Sequence, residues 1–211
     1  MKGLFITLEG GDGAGKSTQM DNIEKYFNER GFECIRTREP GGTPIGEKIR
    51  EILLDPSNKE MTSVTEMMLY ASSRAQHVRE LIRPAMESGK VVICDRYVDS
   101  SVAYQTYGRD LGDMVKAVNQ YAVDEVMPDI TFWMDINPEA GRERIGMRED
   151  SSLDRLEREK LDFHYKVYDG YKRICESEPE RVKRIDATKT IEEIKDEIYG
   201  HLEELCSRVH R

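Results

Sequence analysis

The sequence has little cysteine, a single tryptophan and no excess of positive charge. Its 211 residues include four cysteines, none in a CxxC pair or at metal-ligand spacing, which argues against a disulfide framework or a structural zinc site. The net charge of −9 argues against a nucleic-acid-binding surface, which needs a basic face. No apolar run reaches membrane-spanning length, and the first residues lack the order of a signal peptide. We therefore expect a cytoplasmic protein with reduced thiols and with neither a nucleic acid nor a membrane as partner.

Short apolar segments alternate with longer helical segments along the chain. Strands are predicted at residues 4–9, 34–37, 91–95, 130–135 and 182–186. This alternation predicts a doubly wound α/β fold, with a five-stranded parallel sheet flanked by helices. Right-handed crossovers would bring the loops at the carboxyl ends of the strands into one crevice. We expect one domain over residues 1–211, in which the polar, weakly periodic stretch 142–154 is typical of a lid.

The first predicted strand is followed by the phosphate-loop pattern of Gly, four residues, Gly-Lys-Ser. A helix predicted from residue 17 to about 30 gives this motif its strand, loop and helix context, although a tightly packed glycine-rich turn is the alternative. Inward-turned backbone N–H groups and the helix N-terminus would cradle a polyphosphate. Lys16 would reach the β- and γ-phosphates, and Ser17 would place its hydroxyl on Mg²⁺. The predicted nucleotide-binding residues are Gly10, Gly11, Asp12, Gly13, Ala14, Gly15, Lys16, Ser17 and Thr18.

Two predicted strands end in an aspartate, and either could hold Mg²⁺ beside the phosphate loop. Asp95 is followed by Arg96, which adds a phosphate-binding group. Asp135 is followed by Asn137 and Pro138, which read as a helix cap and first turn and favour a structural role. We therefore expect Asp95 to be the metal-binding acid.

Arginine suits a transferring phosphoryl group because its planar, permanently charged guanidinium binds two oxygens at once. Most arginines in such a charged chain are solvated surface residues, so motif context must select among them. The glutamates between the lid arginines could equally make ordinary helix ion pairs. The candidates are Arg38, Arg50, Arg74, Arg96, Arg142, Arg144 and Arg148.

A set of motifs in this order resembles the thymidylate kinase (dTMP kinase) family, a group of phosphate-loop nucleoside monophosphate kinases. The resemblance runs from residue 5 to about 187, and the ordered set is specific although only the phosphate loop is specific alone. Its motifs are the phosphate loop, Thr37-Arg38-Glu39-Pro40-Gly41-Gly42-Thr43, Leu69-Tyr70-Ala71-Ser72-Ser73-Arg74, Asp95-Arg96-Tyr97, Ser100-Ser101-Val102-Ala103-Tyr104-Gln105 and Pro128-Asp129.

The resemblance implies transfer of the γ-phosphoryl group of ATP to dTMP by a homodimer that uses Mg²⁺. Asp12 would hold the sugar 3′-hydroxyl, Tyr70 would stack on thymine and Arg74 would hydrogen-bond it. Tyr104 would pack against the 2′ carbon and so favour deoxyribose. On spacing alone, Tyr70 and Tyr104 could simply be core, and Asp12 could merely cap the helix. The implied substrate-binding residues are Asp12, Arg38, Arg50, Tyr70, Arg74, Arg96, Ser101, Tyr104 and Gln105; residues 186–188 would pass near the donor adenine.

One position departs from part of the family pattern. Some thymidylate kinases carry a catalytic arginine in the phosphate loop directly after the acid, where this chain has Gly13. The resemblance implies that the lid supplies the missing charge, with Arg148 as first candidate and Arg144 as second. Lys16, Arg96 and one of these arginines would then be the catalytic set.

Two other functions remain open at this point. A phosphate-loop kinase of another nucleoside monophosphate would share most of these residues. A nucleotide-dependent switch protein is a more remote alternative, because the chain lacks the Asn/Thr-Lys-x-Asp guanine motif of a GTPase; Thr188-Lys189-Thr190-Ile191 has no acid at the required position.

Overall fold

The computed structural model describes residues 3–146 and 154–209. Its five strands form one parallel sheet in the order β2-β3-β1-β4-β5, which confirms the predicted doubly wound fold. Each predicted strand agrees with the observed one to within one residue. The strands are β1 (Phe5–Glu9), β2 (Cys34–Arg38), β3 (Val91–Asp95), β4 (Ile130–Asp135) and β5 (Val182–Asp186).

Helices connect the strands and cover both faces of the sheet. None of the helices within residues 3–146 and 154–209 is long and apolar enough to cross a membrane. The α-helices are α1 (Lys16–Asn28), α2 (Pro44–Leu54), α3 (Ser63–His77), α4 (Arg83–Glu87), α5 (Val98–Ser101), α6 (Asp113–Val123), α7 (Pro138–Ile145), α8 (Leu161–Ser177) and α9 (Ile191–Val209), and two π-helical segments span Val78–Ile82 and Val102–Gly108.

The chain crosses to opposite sides of β1, and this reversal opens a crevice at the carboxyl edge of the sheet. β1 lies between β3 and β4, with Leu8 paired to Asp95 on one side and to Phe132 on the other. Ligands of open α/β sheets bind where the strand order reverses in this way. The loop after β1 therefore enters the crevice beside the end of β3.

Apolar packing on both faces of the sheet holds this arrangement rigid. One face packs against α1 and α9 through side chains that include Ile23, Phe27 and Leu202, all inaccessible to solvent. Every residue of β1 and β4 is buried, as the continuous apolar runs predict for a sheet covered on both sides. The strand ends that carry the polar residues are thus fixed by the core beneath them.

Part of the stretch predicted as a lid is helical. Arg142 and Arg144 lie in the last turn of α7. Helix α7 starts as the Asn-Pro pair predicts, because the Asn137 side chain accepts a hydrogen bond from the Glu139 N–H at 2.9 Å. Residues 147–153, with the candidate Arg148, lie outside the described residues.

Candidate active site

The loop between β1 and α1 requires glycine at two positions where it turns. Gly10 has φ +127°, and a Cβ there would lie 2.6 Å from the Met134 carbonyl oxygen on β4. Gly15 has φ +85° at the start of α1, a conformation that residues with a side chain rarely adopt. The loop is therefore pressed against the sheet and turns directly into the helix, the geometry that a phosphate cradle needs.

Lys16 is the first residue of α1, and its side chain is 7 % exposed. Its ammonium donates to the carbonyl oxygens of Gly10 at 3.2 Å and Gly11 at 3.1 Å. The carboxylates of Asp12 and Asp95 each lie 3.9 Å away. Burial, and then the charge of Arg96, lower the pKa of Lys16. The ammonium therefore folds back on its own loop, within reach of a phosphate that enters the loop.

The two candidate metal acids differ in what surrounds them. Asp95 Oδ1 is buried at the end of β3 and has no hydrogen-bond partner among the described residues. Asp135 instead accepts a hydrogen bond from Arg184 Nε at 2.6 Å and is nearly buried. This contrast supports the choice of Asp95 over Asp135, while the Ser17 hydroxyl lies exposed near the start of α1. A hard cation held mainly by phosphates needs only one or two such protein oxygens.

Asp12 and Arg96 are paired with each other across the crevice. Arg96 Nη2 donates to Asp12 Oδ1 at 2.8 Å, and Arg96 Nη1 lies 3.4 Å from the Tyr171 hydroxyl. Burial tends to raise the pKa of Asp12, but the charges of Arg96 and Lys16 outweigh it and lower this pKa to about 2. Asp12 is therefore ionised at neutral pH, and its carboxylate accepts a hydrogen bond from Arg96 rather than serving as a helix cap.

Glu9, at the end of β1, holds the chain around Arg96 in place. Arg96 has φ +67°, a strained conformation for a side chain of its size. Glu9 accepts hydrogen bonds from the Tyr97 N–H at 2.7 Å, the Ser100 hydroxyl at 2.6 Å and the Tyr171 hydroxyl at 2.8 Å. These bonds fix the backbone that follows Arg96 and aim its guanidinium into the crevice.

One cavity of about 130 Å³ lies beside the phosphate loop and is lined by every residue predicted to bind the acceptor. These residues come from five separate stretches of chain, so the fold alone brings them together. The lining residues that had been predicted are Asp12, Arg38, Arg50, Tyr70, Arg74, Arg96, Ser101, Tyr104 and Gln105.

Arg74 lies at the back of this cavity, 1 % exposed and almost fully engaged by protein acceptors. Its Nε donates to Glu39 Oε2 at 2.8 Å, and Nη1 donates to Ser101 Oγ at 2.9 Å and to Asn119 Oδ1. Its Nη2 donates to the Tyr97 carbonyl at 2.9 Å. Guanidinium has five N–H donors, so one remains for a ligand.

The two tyrosines have different surroundings in the cavity wall. Tyr70, on α3, is half-buried and faces the cavity. Tyr104 lies in the second π-helical segment and is 7 % exposed, with edge contacts to Phe163 and Tyr171. Tyr104 is therefore a core residue and a cavity wall at once, so the two readings of the sequence are not exclusive. π-Helical turns of this kind are frequent at functional sites.

Two more arginines stand at the cavity entrance. Arg38 Nη2 donates to Glu47 Oε2 at 2.9 Å, in a pair more than one third exposed on both sides. Arg50 Nη1 donates to the Pro40 carbonyl at 2.9 Å, and burial, followed by the charge of Arg38, lowers its pKa. The exposed Arg38–Glu47 pair contributes little stability, so Arg38 can turn towards a ligand phosphate at small cost.

Arg144 bridges the phosphate loop and the loop after β5. Its Nη2 donates to the Ala187 carbonyl at 3.1 Å, and its Nη1 donates to the Gly13 carbonyl at 3.4 Å. Arg142 instead points to the segment before α8, where its Nη2 donates to the Glu159 carbonyl at 2.5 Å. Of the candidate lid arginines within the described residues, only Arg144 donates to a carbonyl of the phosphate loop, that of Gly13.

Buried acids are the part of the site that the sequence did not reveal. Glu9, Glu39 and Glu66 are all less than 5 % exposed and each binds residues that line the cavity. Glu9 is the last residue of one predicted strand, and Glu39 lies two residues after the end of another. These positions could have marked both as crevice residues. Glu66 lies inside α3 and carries no such signal.

Comparison with known proteins agrees with this geometry. Residues 8–198 match the sequence model of the family described as Thymidylate kinase. A thymidylate kinase of Halothermothrix orenii is 53 % identical over 201 residues, which cover 94 % of this chain and 96 % of the relative. One of Clostridium novyi is 48 % identical over 202 residues, covering 95 % and 98 %.

A solved structure gives the same result at the level of the fold. The crystal structure of thymidylate kinase from Ehrlichia chaffeensis superposes with a TM-score of 0.78 at 30 % identity, covering 96 % of this chain and all of that one. The resemblance found in the motifs is thereby confirmed across nearly the whole length. The chain belongs to the thymidylate kinase family.

Proposed function

We propose that the protein transfers the γ-phosphoryl group of ATP to dTMP, giving ADP and dTDP. The observation that carries this proposal is a cavity lined by Tyr70, Arg74 and Gln105 that opens beside a phosphate loop with a buried lysine. The cavity offers an aromatic face, hydrogen-bond groups and arginines, which together suit a nucleoside monophosphate. The phosphate loop suits the polyphosphate of the donor.

Catalysis here is alignment and charge neutralisation rather than base catalysis. The acceptor phosphate oxygen is already an anionic nucleophile, so no side chain has to remove a proton from it. Lys16 would leave the carbonyls of Gly10 and Gly11 for the β- and γ-phosphates. Arg96 would hold the acceptor phosphate opposite the γ-phosphate, with help from Arg38 and Arg50 at the entrance.

Binding of the acceptor would separate the Asp12–Arg96 pair. The dianionic phosphate is a better partner for the Arg96 guanidinium than one carboxylate, because it offers more acceptor oxygens. Asp12 would then accept the sugar 3′-hydroxyl instead. Tyr104, packed between Arg96 and Phe163, would leave no room beside the 2′ carbon and so select deoxyribose.

The residues present fit a magnesium ion bound with the donor. The buried Asp95 Oδ1, which accepts no hydrogen bond from the described residues, is an oxygen that can bind a hard cation directly or through water, and the hydroxyl of the exposed Ser17 could supply a second. When bound, Mg²⁺ would neutralise charge on the donor phosphates. Lys16, 3.9 Å from Asp95, would supply the remaining positive charge on the same side.

We further propose that residues 1–211 form one kinase domain whose lid spans about 142–154. The lid would provide the arginine that the phosphate loop lacks at Gly13, and Arg148 and Arg144 are the two candidates. Arg144 is supported by its contact with the Gly13 carbonyl at 3.4 Å. A cation there would lie between the loop after β5 and the γ-phosphoryl group that is transferred.

A homodimer is proposed because exposed apolar side chains collect on packed helices α2, α3 and α6. Ile52 on α2 is 48 % exposed, Met68 on α3 is 45 % exposed and Tyr121 on α6 is 84 % exposed. Exposed apolar side chains on helices that pack together are typical of a subunit surface. We also propose a cytoplasmic location, in keeping with four cysteines that form no disulfide.

A coupled ADP-release assay with ATP and Mg²⁺ tests the reaction. The acceptors dTMP, dUMP, dCMP and dAMP are compared with a control that lacks acceptor. ADP formed with dTMP, and more weakly with dUMP, is the expected result. Equal rates with every acceptor would instead identify a less selective nucleoside monophosphate kinase, and ADP formed without acceptor would leave only the phosphate-loop assignment.

A further inference from the structure

Glu66 is a buried carboxylate on the same face of α3 as the cavity-lining residues. It is 1 % exposed, and it precedes Tyr70 by four residues and Arg74 by eight. Residues spaced by four lie above one another on a helix. Glu66 therefore lies on the helix face that carries Tyr70 and Arg74, although it does not itself line the cavity.

Three side chains converge on this carboxylate. Gln105 Nε2 donates to Oε1 at 3.0 Å, and Arg109 Nη2 and Arg155 Nη2 donate to Oε2 at 2.9 and 2.7 Å. Burial tends to raise the pKa of Glu66, but the hydrogen bonds and charge of Arg109 outweigh it and lower this pKa. The carboxylate is therefore ionised at neutral pH and acts only as an acceptor.

An ionised carboxylate decides which way the Gln105 amide faces. The amide carries two donors on nitrogen and an acceptor oxygen, and the two ends have nearly the same shape. Only the nitrogen end can bind a group that has no proton to give. The oxygen end is then left on the other side of an amide that lines the cavity, and no group among residues 3–146 and 154–209 donates to it.

We propose that Glu66 is a positioning residue that fixes the orientation of the Gln105 amide and thereby selects bases that carry an N–H at the centre of their pairing edge. This inference rests on the proposed function, in which Gln105 meets the base. Thymine and uracil present an N–H donor at N3, which Gln105 Oε1 can accept. Cytosine presents a bare acceptor nitrogen there, and two acceptors facing each other repel.

The substitution Glu66→Gln tests this role because a neutral amide can both donate and accept. Gln105 would then lose the constraint on its orientation and could turn its nitrogen towards the cavity. We expect the ratio of the dCMP and dTMP dissociation constants, measured by calorimetry, to fall by about tenfold, the worth of one hydrogen bond. The KM for dTMP should rise while kcat with saturating dTMP changes little.

Arg155→Met is the matched control. It breaks another ion pair of the same carboxylate but leaves the Gln105 bond in place, so the selectivity should match that of the unmodified protein. Glu66→Gln takes a carboxylate from Arg155 and from Arg109, of which Arg109 keeps its ion pair with Glu159. If Glu66→Gln alone does not fold, its combination with Arg155→Met removes the other guanidinium and is compared with Arg155→Met. Equal loss of selectivity in Arg155→Met would overturn the proposal and assign Glu66 a general structural role.

A double-mutant cycle with Gln105→Leu shows whether Glu66 acts through Gln105. In the Gln105→Leu background, Glu66→Gln should change the selectivity ratio by less than about twofold, because no amide remains to be oriented. Additive effects would contradict the proposal. If the unmodified protein itself binds dTMP and dCMP equally, the thymine-site assignment fails; if it prefers dTMP and Glu66→Gln keeps that preference, only the role of Glu66 fails.

Discussion

Two neighbouring regions of the crevice handle buried charge in opposite ways. In the phosphate region, formed by Asp12, Lys16, Asp95 and Arg96, the Lys16 ammonium lies 3.9 Å from both carboxylates, and Asp95 Oδ1 accepts no hydrogen bond from the described residues. The short ion pair of this region, between Asp12 and Arg96 at 2.8 Å, is the pair that the acceptor phosphate would separate. The base pocket is formed by Glu39, Glu66, Tyr70, Arg74, Ser101, Tyr104 and Gln105. Its two carboxylates, those of Glu39 and Glu66, are bound at 2.7 to 3.0 Å by three arginines, a histidine and a glutamine.

The difference matches what each region must do. Groups in the phosphate region are held by contacts that substrate phosphates and a cation can replace, so they can change partners at small cost. Groups in the base pocket are already satisfied and desolvated, so they keep their geometry and offer only the hydrogen bonds left over. Substitutions should therefore affect activity without stability in the first region, and stability together with selectivity in the second.

Lys16→Ala should have the largest effect on turnover. We expect kcat to fall by about 10⁴-fold, comparable to the effect of removing an arginine from a phosphoryl-transfer transition state. The fold should persist, because the lost contacts are two hydrogen bonds to loop carbonyls and two ion pairs of 3.9 Å, all outside the apolar core. Steady-state kinetics and a urea unfolding curve measure the two quantities on the same sample.

The control is Lys25→Ala on the same helix, where the side chain is 70 % exposed and pairs only at long range with Glu29. Its kcat should equal that of the unmodified protein. Turnover retained within tenfold in Lys16→Ala would remove the lysine, and with it the phosphate region, from the mechanism.

Arg74→Met should mainly lower stability. Glu39 would keep only His77 as a side-chain partner in a site 4 % exposed to solvent. Loss of one partner of a buried ion pair destabilises by about 3–5 kcal/mol, which urea unfolding measures directly. Arg79→Met is the control, since its side chain is 68 % exposed and its pair with Asp124 should contribute under about 1 kcal/mol. Equal stability of the two variants would show that the base pocket is not built on this pair.

The smallest effect should come from Glu9, whose hydrogen bonds fix the backbone after Arg96. It should appear as a dependence of the free energy of unfolding on pH. Burial and then the charge of Asp99 raise the pKa of Glu9 from 4.5 to about 7. Between these values the native state holds a proton that the unfolded chain has released, so the free energy of unfolding falls as pH rises. The fall should be roughly 2 to 3 kcal/mol relative to Glu9→Gln, which lacks the titration. Parallel stability curves for the two proteins between pH 4.5 and 7.5 would contradict this pKa.

The sequence predicted the sheet and the location of the site because both depend on local patterns. Buried parallel strands read as apolar runs, and the phosphate loop is a contiguous motif with its flanks in order. The motif set also supplied Tyr70, Arg74 and Gln105, although the sequence alone could not separate a stacking ring from a core ring. The structure places all three on one cavity, which the sequence alone could not show.

What the sequence could not supply are contacts between distant segments. Arg155 and Glu66 are separated by 89 residues, and Arg96 and Asp12 by 84, so no spacing rule pairs them. Glu66 reads as an ordinary charge on a helix until Arg109 and Gln105 are seen to close over it. The sequence also left open whether Arg142 and Arg144 lie in a helix or a loop, since a charged stretch without apolar period does not indicate a helix.

The most direct test is a crystal structure with dTMP, Mg²⁺ and a non-hydrolysable ATP analogue bound. We expect Arg96 to leave Asp12 for the acceptor phosphate and Lys16 to leave its loop carbonyls for the donor. The bonds of Arg74 to Glu39 and of Gln105 to Glu66 should be the same with and without substrates. An intact Asp12–Arg96 pair beside a rearranged base pocket would contradict it.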